Sequence, residues 1–304
     1  MSAAPAPARP STVRIWLMAA RPRTLPAAVA PVLVGTSLAT ALDDVFRPGA
    51  FAAAMIGSIF IQVGTNLSND YSDARRGADT EDRLGPVRVT AGGLVPPRQV
   101  LAATWISFAI AVLVGAYLVY VAGPVVLAIG AASILAGVLY TGGPRPYGYE
   151  GLGELFVFAF FGLVAVTGSF YVQTEKLAWE AFVLAVPVGL LAAAILVVNN
   201  VRDLETDRRA GKRTLAVRLG PRRARELYAA MVFGAFATAP LPWVLGSLTA
   251  WLLLPWLALP LAVALVRLVS GHTDGPTLNQ ALARTGMLQL VFCVLLSAGL
   301  LLSG

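Results

Sequence analysis

Long runs without charge alternate with short polar stretches along most of the chain. The uncharged runs cover 24–42, 48–69, 99–144, 155–174, 181–201, 227–266 and 285–304. A bilayer span requires about 20 mainly apolar residues. Two of the runs are long enough for two spans each, with breaks at Gly123-Pro124 and Gly246-Ser247. Because backbone polar groups in lipid must be satisfied internally, each span should be a helix. The pattern therefore predicts an all-α polytopic membrane protein with about nine transmembrane helices.

The composition agrees with this pattern. Hydrophobic residues make up 57% of the 304 residues and charged residues only 13%, whereas a soluble domain carries about 25% charge. The Ala- and Pro-rich N-terminus indicates a disordered tail over residues 1–13. Residues 14–304 are then expected to form a single transmembrane domain.

The distribution of basic residues predicts an orientation. With nine spans, the N-terminal tail shares one side of the membrane with loops 70–98, 141–154, 201–226 and 267–284. Of the 23 Lys and Arg residues, only Arg47 and Lys176 fall on the opposite side. Cytoplasmic loops are the ones enriched in Lys and Arg. We therefore expect a multi-pass protein of the cell membrane with these loops in the cytoplasm. The bias accounts for the net charge of +7, and no pattern indicates nucleic-acid binding.

Two clusters of acidic residues follow apolar runs and face this side of the membrane. They lie in the stretches "NLSNDYSDARRGADTEDR" (66–83) and "NNVRDLETDRRAGKR" (199–213). The first cluster spaces Asn66, Asp70 and Asp73 at i, i+4 and i+7, and the second spaces Asn199, Asp203 and Asp207 at i, i+4 and i+8. On a helix these spacings place each trio on one face. The trios end the second and sixth predicted spans, which indicates a short internal repeat.

The residue types in these clusters favour a metal-dependent phosphate site. Carboxylates at the edge of a membrane are costly unless they are paired or bound to a metal. Oxygen ligands without His or Cys suit Mg²⁺, which is commonly shared with substrate phosphates. The neighbouring Lys and Arg residues are suited to binding phosphate oxygens. A single cluster at a helix end would more often be a solvated cap, so the prediction rests on the presence of two.

Four segments of the sequence resemble the UbiA superfamily of intramembrane aromatic prenyltransferases. They are "RPRTLPAAVAPVLVGT" (21–36), "NDYSDARRGADTEDRLGPVR" (69–88), "PYGYEGLGELFVFAFFGLVAVTGS" (146–169) and "NNVRDLETDRRAGKRTLAVRLG" (199–220). They look most like the branch that prenylates 1,4-dihydroxy-2-naphthoate in menaquinone biosynthesis. The resemblance implies nine helices around a central cavity, with loops 70–98 and 201–226 forming a cytoplasmic cap. It also implies transfer of a polyprenyl group from polyprenyl diphosphate to 1,4-dihydroxy-2-naphthoate, with loss of CO₂ and diphosphate, giving demethylmenaquinone.

The resemblance also implies roles for individual residues. Those expected to bind Mg²⁺ are Asp70, Asp73, Asp203 and Asp207, which would act in catalysis, together with Asp79. Those expected to bind substrate are Asn66, Arg83, Tyr140, Arg145, Asn199, Lys212, and Arg21 or Arg23. Apolar ring faces from Phe156, Phe158, Phe160 and Phe161 would line the cavity, and Glu154 could contact the aromatic acceptor. One departure concerns the first motif, in which many members carry a further acid where this chain has Gly77.

Two alternatives remain open at the level of sequence. The acceptor could belong to a sister branch, such as 4-hydroxybenzoate. A membrane transporter would also have internal repeats, although its polar site usually lies near the bilayer midplane rather than at helix ends. Prenyl chain length and oligomeric state have no signal in the sequence.

Overall fold

The computed structural model describes residues 10–78 and 84–304, and this part of the chain is built from helices joined by short turns. In chain order the helices are α1 (Thr12–Ala20), α2 (Pro26–Asp43), α3 (Pro48–Arg75), α4 (Pro97–Ala122), α5 (Val125–Leu139), α6 (Gly153–Thr174), α7 (Trp179–Arg202), α8 (Leu204–Arg209), α9 (Leu215–Leu219), α10 (Pro221–Val244), α11 (Ala250–Gly271) and α12 (Gly275–Leu301). Short 3₁₀ turns precede α2, at Pro22–Thr24, and α6, at Tyr147–Glu150.

The prediction of about nine apolar helices is confirmed. Eight helices of the described chain are long and apolar enough to cross a membrane, and α5 is a shorter apolar helix of 15 residues. Both predicted breaks are present, because Gly123 and Gly246 adopt positive φ angles of 83° and 82° between consecutive helices. At about 1.5 Å per residue, α5 is some 22 Å long, shorter than a hydrocarbon core of roughly 30 Å.

The N-terminal region contains a helix that the sequence pattern did not predict. Helix α1 begins at Thr12, and the Ser11 side chain caps it by accepting a hydrogen bond from the Arg14 amide. Its Ile15 and Ala19 side chains are buried against α3, α4 and the loop before α4. The expected tail of residues 1–13 therefore overlaps this helix at its last residues, while residues 1–9 lie outside the described chain.

The core is organised around α7. This helix packs against α6, α10 and α12, and α2 packs against α6 and α12 on the neighbouring side. Helices α3 and α4 form a second tightly packed pair, and α5 packs mainly against these two. The arrangement leaves a space enclosed by α2, α3, α5, α6 and α7, where both acidic motifs end.

Helices α6 and α7 approach each other at two glycines. A Cβ atom added to Gly162 would lie 2.7 Å from the Gly189 Cα atom, and one added to Gly189 would lie 2.9 Å from the Phe158 carbonyl oxygen. We expect Gly189→Ala to lower the free energy of unfolding by about 1–3 kcal/mol through overpacking. Gly130→Ala on α5 is the matched control, because its added Cβ meets nothing within 4 Å. Thermal unfolding in detergent tests the difference, and equal stability of the two variants would contradict it.

Candidate active site

A cavity of about 260 Å³ lies between the five helices that surround the end of α3. Its polar end is formed by α3, the end of α7, α8 and the loops before α4 and α6. Its apolar part is lined by small residues of α2 and α5 and by aromatic residues of α6. The cavity therefore joins a charged mouth to an apolar interior.

Helix α3 directs one face to the cavity. Asn66, Asn69 and Asp73 line it, together with Gln62 one turn earlier. At 100° per residue, Asp70 lies about 70° from the middle of this face. Its carboxylate instead accepts hydrogen bonds from the amides of Val89 and Thr90, at 3.1 and 2.9 Å. Asp70, predicted to bind metal, thus anchors the loop before α4 and is not brought to the cavity.

Asp73 is the acid of the first motif that does reach the cavity. It is 2% exposed, and its Oδ1 atom accepts a hydrogen bond of 2.7 Å from the Tyr149 hydroxyl. Its Oδ2 atom lies 3.5 Å from both Arg88 Nη2 and Lys212 Nζ. The Lys212 ammonium also sits 4.8 Å from the centre of the Tyr149 ring. One buried acid thus holds two cations at the charged mouth.

All three polar residues of the second motif line the cavity. Asn199 is on the last turn of α7, Asp203 lies between α7 and α8, and Asp207 is on α8. Arg202, which is 4% exposed, donates from Nε to Asp203 Oδ1 at 2.8 Å and also contacts Oδ2. The same guanidinium donates to the side-chain oxygens of Asn199 and Asn279, at 2.8 and 2.7 Å. Arg202 therefore fixes the orientation of the Asp203 carboxylate.

The internal repeat is visible in the backbone. The amide of Ala78 donates to the Asp73 carbonyl, and the amide of Lys212 donates to the Asp207 carbonyl, at 3.0 and 2.9 Å. Each turn contains a glycine with positive φ, 65° at Gly77 and 74° at Gly211. Such turns are a common way to end a helix. Asp73 thus corresponds in position to Asp207, and four residues earlier Asn69 corresponds to Asp203.

The remaining predicted residues divide into those at the cavity and those away from it. Arg21, Tyr140 and Lys212 line the cavity, and Arg21 donates to the Asn66 carbonyl at 3.3 Å. Arg23 and Arg145 are exposed and do not line it. Arg83 and Asp79 lie outside the described residues. Of the two candidate arginines before α2, the structure brings only Arg21 to the site.

The Asn66 side chain connects the cavity to the N-terminal region. Its amide donates to the Ala20 carbonyl at 2.9 Å and to the Thr24 hydroxyl at 3.3 Å. These bonds hold the turn between α1 and α2 against the C-terminal half of α3. Asn66 therefore positions Arg21 in addition to lining the cavity.

Aromatic rings form one wall below the charged mouth. Tyr147 stacks on Phe156 with ring centres 4.0 Å apart, and Tyr140 meets Tyr147 edge-on at 5.4 Å. The Tyr147 hydroxyl donates to the Ala136 carbonyl at 2.9 Å, and burial raises its pKa above its ordinary value. It therefore remains a hydrogen-bond donor.

The wall continues along α6, where Phe158–Val164 form a π-helical segment. Phe156 and Phe160 stack at 6.2 Å, and both line the cavity with Phe161. Phe158, predicted with them, does not line the cavity, because it packs against Gly189 of α7. Segments of π-helix often occur at functional sites.

The donor set at the mouth is suited to Mg²⁺. Asp73, Asp203 and Asp207 supply carboxylate oxygens, and Asn69 and Asn199 add amide oxygens. Within residues 10–78 and 84–304, no three His, Cys, Asp or Glu side chains converge on one point. Since Mg²⁺ is usually held by one or two carboxylates, with phosphate oxygens and water completing its shell, these residues fit an ion that binds together with its substrate.

Sequence reasoning missed four residues of the site: Asn69, Arg88, Tyr149 and Arg202. Asn69 carried a signal, because it precedes Asp73 by the same four residues that separate Asp203 from Asp207. The other three had no comparable signal. Arg88 and Tyr149 come from loops without periodicity, and Arg202 falls between two motif positions.

Comparison with known proteins finds relatives that match nearly the whole chain. The model of the UbiA prenyltransferase family matches residues 28–302. The chain is 41% identical over 289 residues to the 1,4-dihydroxy-2-naphthoate octaprenyltransferase of Mycobacterium leprae, covering 95% of this chain and 97% of that protein. It is 39% identical to the enzyme of the same name from Escherichia coli, covering 96% and 97%.

Solved structures share the fold at low sequence identity. A UbiA homolog from Archaeoglobus fulgidus, bound to GPP and Mg²⁺, superimposes with a TM-score of 0.66 at 15% identity, covering 94% of this chain and 99% of that chain. The apo UbiA homolog from Aeropyrum pernix gives a TM-score of 0.68 at 16% identity, covering 91% and 97%. With a family model that matches nearly the whole chain, this protein belongs to the UbiA prenyltransferase family.

Proposed function

We propose that this protein transfers a polyprenyl group from polyprenyl diphosphate to 1,4-dihydroxy-2-naphthoate. The C–O bond of the donor breaks, and diphosphate leaves with the electron pair. A C–C bond forms at the ring carbon that bears the carboxylate. That carboxylate leaves as CO₂ and returns its electron pair to the ring. The product is demethylmenaquinone in its quinol form, so no oxidant is required.

The observation that carries this proposal is the pairing of the charged mouth with the aromatic wall in one cavity. Lys212 and Arg88 lie within 3.5 Å of the same Asp73 oxygen, so their charges converge where a diphosphate would sit. Arg can bind a phosphate in bidentate fashion, and Lys acts as a point charge. The identity to naphthoate octaprenyltransferases over nearly the full chain supports the acceptor.

We propose that Asp73, Asp203 and Asp207 hold Mg²⁺ together with the donor. The ion, when bound, neutralises diphosphate and makes it a better leaving group. Arg202 keeps Asp203 oriented through its contacts with both carboxylate oxygens. Asp70 would act indirectly, because its hydrogen bonds to the Val89 and Thr90 amides hold the loop that carries Arg88.

The aromatic wall suits the apolar part of the reaction. Breaking the C–O bond develops positive charge on the allylic carbon. The faces of Tyr147, Phe156 and Phe160 supply negative quadrupole density without a strong nucleophile. The small residues Ala136 and Gly137 of α5 and the rings of Phe156 and Phe160 of α6 line the same part of the cavity. The prenyl tail would run along this apolar part of the cavity toward lipid.

We propose that the charged mouth faces the cytoplasm of the cell membrane. The mouth lies at the ends of α3 and α7, on the side that carries nearly all Lys and Arg residues. This asymmetry is the usual mark of cytoplasmic loops. A water-soluble naphthoate could then enter from the cytoplasm while the prenyl donor enters from the bilayer.

One assay tests the reaction and the acceptor. Purified protein in lipid nanodiscs receives a polyprenyl diphosphate, Mg²⁺ and either 1,4-dihydroxy-2-naphthoate or 4-hydroxybenzoate. We expect a prenylated, decarboxylated product from the naphthoate alone, with one CO₂ released per product. Product from hydroxybenzoate alone would overturn the acceptor. Folded protein that yields no product from either would overturn prenyl transfer and favour the transporter alternative.

Removal of divalent metal is expected to abolish turnover. Chelation with EDTA should lower the rate by at least about 100-fold, because the diphosphate loses the charge that stabilises its departure. Added Mg²⁺ should restore the rate, and an equal ionic strength of NaCl should not. A rate that persists in EDTA after extensive dialysis would contradict the proposed role of the three aspartates.

A further inference from the structure

A buried carboxyl group stands at the start of α6, beside the cavity. Glu154 is 4% exposed, and its Oε1 atom accepts a hydrogen bond of 2.8 Å from Asn200 Nδ2. Its Oε2 atom is buried and has no hydrogen-bond partner among the described residues. An incompletely satisfied buried acid is costly, so a functional reason for its presence should be sought.

The contact with Glu154 fixes the orientation of the Asn200 side-chain amide. Glu154 Oε1 accepts from the amide nitrogen of Asn200, so Glu154 holds that nitrogen toward itself. The amide oxygen, Oδ1, is thereby turned away from Glu154. Asn200 lines the cavity, and no group in the described chain donates to this oxygen. A hydrogen-bond acceptor of fixed orientation is therefore available at the wall.

The surroundings of Asn200 suit a flat aromatic ligand that carries a hydroxyl group. Gly153, next to Glu154, approaches the Tyr140 ring so closely that an added Cβ would lie 3.3 Å from a ring carbon. Tyr140, Tyr147 and Phe156 line the same cavity as Asn200, and their rings contact one another in one aromatic cluster. A phenolic hydroxyl is a donor that matches the Asn200 oxygen, whereas a prenyl chain has none.

We propose that Asn200, held in orientation by Glu154, recognises a ring hydroxyl of the aromatic acceptor. Asn200 touches the acceptor, and Glu154 is a positioning residue that acts through Asn200. This assignment rests on the proposed function and adds a specificity determinant to it. It predicts that the two residues affect binding of the acceptor and leave binding of the prenyl donor unchanged.

Binding of unreactive analogues tests the proposal without relying on turnover. The dissociation constants of 2-naphthoate, 1-hydroxy-2-naphthoate and 4-hydroxy-2-naphthoate would be measured by calorimetry in detergent micelles. For the unsubstituted protein we expect at least one hydroxylated compound to bind about tenfold more tightly than 2-naphthoate, the size of one well-made hydrogen bond. Absence of any such preference would overturn the proposal.

Three variants then test which residues cause the tighter binding of the hydroxylated compounds. Asn200→Ala should abolish it, and Glu154→Gln should weaken it, because a glutamine amide can pair with either end of the asparagine. If Asn200→Ala fails to fold with Glu154 unpaired, the double variant Glu154→Gln/Asn200→Ala removes that charge and tests the same loss. The KM for prenyl diphosphate should stay within about twofold in each, since the contacts of the mouth are intact.

Thr285→Val is the matched control for loss of a buried hydrogen bond. Thr285 is 0% exposed, bonds to the Tyr228 hydroxyl at 2.9 Å and does not line the cavity. It should lose stability and keep the hydroxyl preference. If Asn200→Ala keeps the preference for hydroxylated compounds, Asn200 does not recognise the hydroxyl. If Asn200→Ala loses the preference but Glu154→Gln keeps it undiminished, Glu154 does not position Asn200. Failure of the unsubstituted protein to transfer a prenyl group would instead count against the proposed function.

Discussion

Asp73→Asn is expected to lower the rate of prenyl transfer by about two to three orders of magnitude. The substitution removes a carboxylate whose oxygens contact Tyr149, Arg88 and Lys212. It therefore weakens metal binding and also releases the two cations that converge on the diphosphate. We expect a higher Mg²⁺ concentration for half-maximal activity in the same variant. Steady-state kinetics across a Mg²⁺ titration measure both effects.

Asp70→Asn is the matched comparison, three residues earlier on the same helix. Its carboxylate accepts two backbone amides of the loop before α4, and an asparagine can accept with only one of its two side-chain ends. We expect a loss of stability of about 1–3 kcal/mol and a smaller loss of rate, with an unchanged Mg²⁺ requirement. A raised Mg²⁺ requirement in Asp70→Asn alone would show that Asp70, and not Asp73, binds the ion.

The number and limits of the helices followed from hydropathy because the membrane imposes a length and forbids exposed backbone polar groups. Gly123 and Gly246 were recognisable as breaks because each interrupts a run too long for one span. Helix α1 was not predicted, since nine residues at the edge of a bilayer need no continuous apolar run. It is recognised only through the residues it covers, Ile15 and Ala19.

Assigning the site residues required knowing which face of α3 is turned to the cavity, and the spacing of the polar residues alone does not show this. The spacings of Asn66, Asp70 and Asp73 fit one broad face, but the cavity faces only part of it. A shift of 60° on the helix separates a residue at the mouth from one that anchors a loop, as Asp73 and Asp70 show. Alignment of the two repeats on Gly77 and Gly211 would have selected Asn69 and Asp73 from the sequence.

Asp73 and Asp203 at the mouth are paired with cations of the protein itself. Asp73 is matched by Lys212 and Arg88, and Asp203 by Arg202. These ion pairs are nearly dry, so removing one partner leaves an expensive buried charge. A bound metal diphosphate brings both signs of charge together and can exchange partners with the pairs. The arrangement lowers the cost of keeping several carboxylates at the edge of a membrane.

Arg202→Met is expected to destabilise the protein by about 3–5 kcal/mol, because it removes the guanidinium that contacts both oxygens of the buried Asp203 carboxylate. Asp203 is 4% exposed, and Arg202 holds its Oδ1 at 2.8 Å. The same guanidinium connects Asn199 with Asn279, and Asn279 donates to the Leu84 carbonyl at 2.9 Å. The variant should therefore also weaken the attachment of Leu84, which lies in the loop before α4, to α12. Chemical unfolding in mixed micelles measures the loss.

The double variant Arg202→Met/Asp203→Asn separates stability from catalysis. It removes both charges, so it should be more stable than Arg202→Met alone, with a coupling energy of about 1–3 kcal/mol. Its rate of prenyl transfer should nevertheless stay about two orders of magnitude below that of the unsubstituted protein, because the carboxylate that serves the metal is gone. Stability losses that simply add would show that the pair is not coupled. Recovery of the rate together with the fold would show that the Asp203 carboxylate does not hold the metal.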